Sequence, residues 1–555
     1  EAGEPAGAAR EVADLAATVA ELEAAHRPRW LWPATAACYP RVLEAAGRVQ
    51  RCHDIELTEA LLLGADGRWG EPRGLGAAWA RLVGAPVPTD PPPPAARIPG
   101  DGQGALFDSG PAPPATGDTD PLEALIRVYR HQQARIEAGP AAAGRFRLLV
   151  AAESAGALLA VEMGHTGLPW RVDVHDEILA DLLGTASPVG GPPRRLAELA
   201  GRIAEAFGGQ RIHPDSPAEV LRAFAREGIS LPSTRAAVLR GVDHPAVPLL
   251  LEYKELHRIW TAHGWAWQRQ WIRDGRFHPE YVPAGVVSGR WATRGGGALQ
   301  IPKVVRRAVR ADPDWRLVVA DAGQLEPRIL AAVSGDPAMM RAAGSGDMYA
   351  ALAAEAFGGD RARAKVALLG AMYGQTGGQA VPALAALRRS YPVAQSYVEE
   401  AARTGEAGGL VRSWLGRTCP PGSVGWSGEL DQDGDELDRR RGAGMPGGAM
   451  PGAGMAGAAA RARGRFTRNF VIQATAAEWA LVLLAALRRD LAGTGAELVF
   501  FQHDEVIVHS PAALAPEVAS LIEAAGAEAG RLLFGATPVR FPLGLSIVDS
   551  YAEAK

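Results

Sequence analysis

The chain has 555 residues, too many for one hydrophobic core, so several domains are expected. Hydrophobic content of 47% is ample for those cores, while a net charge of −4 excludes a molecule-wide field that attracts polyanions, so any nucleic-acid contact must rest on local patches. Three cysteines at unrelated spacings (Cys38, Cys52, Cys419) form neither a disulfide framework nor a zinc site, and no run reads as a membrane span or signal peptide; a reducing, cytoplasmic setting is expected.

In chain order, residues 1–82 mix helical and short apolar patterns, and 84–120 are rich in Pro, Gly and Ala, the composition of a flexible loop. Helical patterns resume at 121–138 and dominate from 146 to about 285, with a turn-rich break at His213–Ser216. A basic stretch follows at 284–310, with Arg290, Arg294, Lys303, Arg306, Arg307 and Arg310 and no acid among them. The segment LVVADAGQLEPR (317–328) is an apolar run that reads as a strand ending in carboxylates. Helical patterns cover 337–411; a tract at 420–460 starts acidic and turns Gly/Met/Ala-rich, a solvated insertion. A second apolar run ending in carboxylates, LVFFQHDEVIVHS (498–510), also reads as a strand.

Asp321 and Asp504 stand 183 positions apart, so only the fold can unite them. Together they could hold a pair of hard cations for phosphoryl transfer, whereas each alone is also what an ordinary strand end with solvated acids looks like. Between them, RARAKVALLGAMYG (361–374) places Arg361, Lys365 and Leu369 at four-residue spacing on one helical face. Such a face is either a solvated basic stripe or a grip for a triphosphate. Only four lysines occur in this Arg-biased chain, so Lys365 suits a role that Arg cannot fill, such as proton donation. Asn469 is the only asparagine; with Arg465 and Gln473 it shares a face of the helical stretch RFTRNFVIQATAAEWA (465–480), where polar side chains can meet nucleic-acid bases or backbone.

The order of these motifs resembles that of family A DNA polymerases, the DNA polymerase I family, and most resembles the high-GC bacterial branch labelled bifunctional 3′–5′ exonuclease/DNA polymerase. DAGQLEPRILAAVSGD (321–336) is similar to the family's motif A, RARAKVALLGAMYG to motif B, and QHDE (502–505) to motif C; SGRWATRGGGALQIP (288–302) resembles the stretch that touches primer and template, and LLEYKELHRIW (250–260) the end of the thumb. The resemblance implies an α/β multidomain chain with a right-hand polymerase fold: a degenerate RNase H-like 3′–5′ exonuclease domain at 1–145, thumb at 146–285, palm at 286–336 and 481–555, and fingers at 337–480. It implies that Asp321 and Asp504 bridge two Mg²⁺ ions (Mn²⁺ being possible), with Glu505 a supporting carboxylate. Lys365 would contact the triphosphate and protonate pyrophosphate, and Arg361 would clamp its γ-phosphate end. Glu326 resembles the steric gate against a ribose 2′-hydroxyl, Tyr373 would close over the templating base or the nascent pair, and Gln324 would lie beside the triphosphate. His503 would touch the primer end; Arg290, Gln300, Arg465, Asn469, Gln473, Lys254 and Arg258 would line the DNA. The implied partners are primer–template DNA and deoxynucleoside triphosphates, the implied setting the nucleoid, and the implied state a monomer.

Departures from the family pattern fall around the nucleotide. Leu369 stands where Phe or Tyr is usual, Tyr349 where a phosphate-contacting His is usual, and Pro327 follows the gate Glu. They put nucleotide affinity in doubt rather than the reaction class. The N-terminal part carries CHDIELTEALLLG (52–64), which resembles a framework piece of the exonuclease fold, but Tyr129 is followed four residues later by Gln133 rather than the Asp of the family's last exonuclease motif, so little or no proofreading is expected. The peptide Gln103-Gly104-Ala105-Leu106-Phe107 resembles the Gln-x-x-Leu-Phe motifs by which bacterial polymerases dock on the sliding clamp. The alternatives are a catalytically weakened DNA-binding scaffold and a 3′–5′ exonuclease.

Overall fold

The run at 317–320 is apolar without alternation because both faces of its strand are covered. In the computed structural model, strand β3 (Trp315–Ala322) turns Leu317 and Val319 into one core and Val318 and Ala320 into another. The structure describes residues 7, 9–45, 47–91, 116–139, 144–186, 190–294, 297, 301–373, 385, 388–421 and 453–554.

The N-terminal part holds a parallel pair, β1 (Arg29–Trp32) and β2 (Arg51–Asp54), followed by helix α1 (Ile55–Ala65). Asp54 ends β2 and caps α1, accepting from Leu57 N at 2.8 Å and from Thr35 N at 2.7 Å. His53 meets the Gln132 side chain at 3.0 Å and the Tyr129 ring edge-on. The His-Asp pair is thus engaged in local packing and capping. Helix α2 (Arg145–Thr166) joins this part to the rest. Its Glu162 accepts from Tyr39 Oη at 2.6 Å, from Arg48 at 2.9 Å and from Arg488 at 2.6 Å, and Arg488 also donates to the carbonyls of Val49 and Gln50.

The described residues between 172 and 263 form five further helices around their own core, which includes Leu179, Leu199, Phe224, Leu239, Leu250 and Ile259. Then comes the four-stranded antiparallel sheet, built by β3, β4 (Glu497–Gln502), β5 (Glu505–Pro511) and β6 (Leu543–Val548) in the order β6-β3-β5-β4. The segment 498–510 is therefore a hairpin and not the single strand expected: two apolar runs flank His503-Asp504, and His503 takes a left-handed φ of 58° that reverses the chain within two residues. A register shift at Ile507/Val508 marks a bulge, which lets Val499 and Phe500 face the same core.

Helices α3 (Leu325–Ser334), α4 (Met348–Ala356), α5 (Arg361–Tyr373), α6 (Pro392–Glu406), α7 (Ala453–Asp490) and α8 (Ala515–Phe534) contribute to the largest core, which also takes in Val318 and Ala320 of the sheet. Helix α7 runs 38 residues without a break, so the boundary expected at 480/481 falls inside it. Its stretch Ala459–Asp490 is, by length and composition, apolar enough to cross a membrane, contrary to the expectation that no such run exists; 94% of the apolar window is buried inside the fold, which accounts for its character.

Candidate active site at the sheet end

Strand β3 ends at Ala322, and the Ala322 amide donates to the Asp504 carbonyl at 3.0 Å. In the β3–β5 ladder Glu505 lies directly across from Asp321. The hairpin turn thus sets Asp504 beside Asp321, uniting the distant carboxylates. Two non-glycine residues in the left-handed region frame them, Gln324 at φ 57° and His503 at φ 58°. Such positions cost of order 1 kcal/mol each and collect at functional sites.

Burial, and then the Asp321 charge, push the Asp504 carboxyl up to about 6, with Arg290 pulling it down. A cation between the two carboxylates would relieve that repulsion. Among the described residues no group of three or more His, Cys, Asp or Glu is placed to hold a metal ion. Glu505 is buried at 5% exposure; burial, then this carboxylate, raise the neighbouring Tyr551 hydroxyl.

The basic stretch looks different in three dimensions. Arg290 is paired with Glu326 at 2.7 Å, both nearly buried, and Arg294 with Glu280 at 2.8 Å, while Arg306 stacks over the Tyr551 ring. Lys303, Arg307 and Arg310 stay exposed. Acids distant in sequence therefore neutralise part of a patch that holds none of its own. Burial, then repulsion by Arg290, lower His503 to about 4, so it is neutral at pH 7.

Arg361 and Lys365 share an exposed face of α5, as their spacing requires, and Leu369 one turn on is half-buried. Arg361 Nε donates to Asp347 at 2.6 Å above the buried Tyr349 ring. Asp347 also accepts from Gln324 Nε2 at 2.7 Å. This carboxylate escaped the sequence reading, although Asp after Gly-Ser-Gly-type residues and before a helical run is an N-cap signal. On α7, Arg465 is exposed whereas Asn469 and Gln473 are largely buried, and Asn469 Oδ1 has no hydrogen-bond partner among the described residues. Lys254 is tied to Thr234, donating to its carbonyl at 2.7 Å and its hydroxyl at 3.0 Å, and Arg258 is exposed. Gln300, the side chain of Tyr373, and Gln103, Leu106 and Phe107 lie outside the described residues.

The fold is similar to that of a solved structure, the POL domain of Pol1 from M. smegmatis in complex with DNA primer-template and dNTP: TM-score 0.70, 17% identity, covering 98% of this chain and 90% of that one. The family model for DNA polymerase family A matches residues 193–543, well over half of the sequence, and the chain belongs to that family. Curated relatives include DNA polymerase I of Deinococcus radiodurans, 25% identical over 64% of this chain and 38% of its own length, and the thermostable DNA polymerase I of Thermus filiformis, 28% identical over 56% and 36%. The chain thus spans little more than a third of the length of these relatives.

Proposed function

We propose that this protein is a DNA-directed DNA polymerase that extends a primer 3′-hydroxyl with deoxynucleotides on a template. The observation that carries the proposal is the pairing of Asp321 and Asp504 at the sheet end, in a chain that matches the family over 193–543. In this reading the four-stranded sheet is the palm, the block around α5 the fingers and the helices at 172–263 the thumb.

Asp321 and Asp504 would hold two Mg²⁺ ions, with Glu505 supporting from the adjacent ladder position. Bound there, the ions would lower the 3′-hydroxyl pKa and neutralise the leaving pyrophosphate. Lys365 would protonate that pyrophosphate and Arg361 hold the γ-phosphate. Glu326, fixed by Arg290, would present a rigid wall to a ribose 2′-hydroxyl, a role favoured by its near-complete burial in the ion pair. His503, kept neutral, would approach the primer end without adding charge. Arg465, Asn469, Gln473, Arg258 and the exposed Lys303, Arg307 and Arg310 would follow the DNA. Proofreading is not part of the proposal, since Asp54 is engaged in capping α1. Docking of Gln103–Phe107 on a sliding clamp stays a proposal from sequence, tested by pull-down with Leu106→Ala and Phe107→Ala.

Primer extension with Mg²⁺ and deoxynucleotides tests the function. Longer product is expected, lost in Asp321→Asn while DNA affinity persists. Shorter product would mark a nuclease, and bound but unextended primer a scaffold.

A further inference from the structure

Arg328 is fully buried, and its guanidinium knots a turn together. It donates to the carbonyls of Gly323 at 3.0 Å, Ala343 at 2.6 Å, Gly346 at 2.7 Å and Arg540 at 3.0 Å. This fixes the 343–346 turn against the end of β3, where Gln324 leaves the strand. Gln324 then spans the gap: its Oε1 accepts from Met348 N at 2.9 Å and its Nε2 donates to Asp347 Oδ1 at 2.7 Å. The same Oδ1 caps α4 by accepting from Tyr349 N at 2.9 Å and Ala350 N at 3.1 Å. Every contact of Oδ1 is to a rigid donor, so the position of Oδ2 is set. Oδ2 takes Arg361 Nε at 2.6 Å, and the Tyr349 ring lies 5.6 Å beneath the guanidinium carbon.

The pair uses the Nε of Arg361. The two Nη groups lie on the other edge of the fork, on a side chain that is 55% exposed. A guanidinium held by one edge presents the other in a defined direction, which favours bidentate contact with a phosphate. We infer that Asp347 is a positioning residue, which holds Arg361 with its Nη edge turned outward to take the terminal phosphate of a nucleoside triphosphate. The inference rests on the polymerase reading. It makes the linkage Asp321–Gln324–Asp347–Arg361 one continuous brace between the carboxylate strand and the α5 face. Asp347 is charged throughout the working pH range: burial alone would raise its carboxyl, but Arg361 and Gln324 outweigh that and bring it down to about 2.

The test uses Asp347→Asn in the full chain. Asn keeps an oxygen for Gln324 and the two backbone amides but turns an NH₂ towards Arg361. Asp347→Ser, which retains a capping oxygen without charge, is the second variant should the first fail to fold. The expected result is a rise of about tenfold in KM for the matched deoxynucleotide, as loss of one charge-assisted contact implies, with kcat within about twofold. Calorimetric affinity for inorganic tripolyphosphate should fall by a similar factor, and Asp347→Asn should add nothing in an Arg361→Gln background. A purely structural role would lower kcat or thermal stability without this coupling. An unchanged or lower KM, or additive losses in the double variant, would overturn the inference. If the wild type extends no primer, the polymerase reading fails, and the tripolyphosphate cycle still judges the Asp347–Arg361 coupling separately.

Discussion

Replacing Asp504 with Asn should make the metal-free protein more stable while destroying the proposed chemistry. Burial and then Asp321 raise the Asp504 carboxyl from its ordinary 3.8 to about 6. A rise of about two units corresponds to about 3 kcal/mol, an upper bound because the site is not fully closed to solvent. The folded state holds this proton more tightly than the unfolded state does. The cost of ionisation is therefore absent below about pH 4, grows between about 4 and 6, and is fully present at pH 7. The uncharged, near-isosteric Asn removes it, which should stabilise the variant by about 1–3 kcal/mol and raise the melting temperature by a few degrees. The assay is thermal unfolding of both proteins in chelator, at one scan rate, at pH 7.5 and pH 5. The variant should melt higher at pH 7.5, and the gap should narrow at pH 5. A wild type as stable as the variant at pH 7.5, or a gap that widens on acidification, would refute the claim that burial and the Asp321 charge make ionised Asp504 costly in the fold.

Leu369→Phe should lower KM for a matched nucleotide by about threefold to tenfold, the worth of an aromatic contact of about 1 kcal/mol, as steady-state kinetics would show. Glu162→Gln should cost about 3–5 kcal/mol, because it strands the buried Arg488 guanidinium, and denaturant unfolding would register it. Gly405→Ala should destabilise by about 1–3 kcal/mol: a Cβ there would overlap the Thr467 side chain at the crossing of α6 and α7, and the melting temperature should fall accordingly.

Much of the site was legible because its physics is local. An apolar run with no alternation marked β3, and four-residue spacing placed Arg361 and Lys365 on one face. The hairpin was not legible, since QHDE reads as the polar end of a strand; what divides it in two is the left-handed His503, a conformation that histidine adopts more often than most non-glycine residues but still uncommonly. The pairing of Arg290 with Glu326 was hidden for another reason. Each residue had a separate role suggested by motif, and only the fold places residues 36 positions apart within a hydrogen bond. Asp347 was missed because its importance lies in what it touches, not in any spacing. The long apolar character of α7 was missed, since the polar Arg465, Asn469 and Gln473 drew the reading to one face of the helix; whether lipid or protein covers such a helix is decided by its neighbours.

The knot of Glu162, Arg48, Tyr39 and Arg488 bears on what could be trimmed from this molecule. A chain cut back to start at α2 would keep Glu162 and Arg488 but lose Tyr39, Arg48 and the carbonyls of Val49 and Gln50. The foot of α7, the helix that carries Asn469 and Gln473 near its middle, would then be left half-anchored. The N-terminal segment thus acts as a keystone, and its retention requires no chemistry of its own.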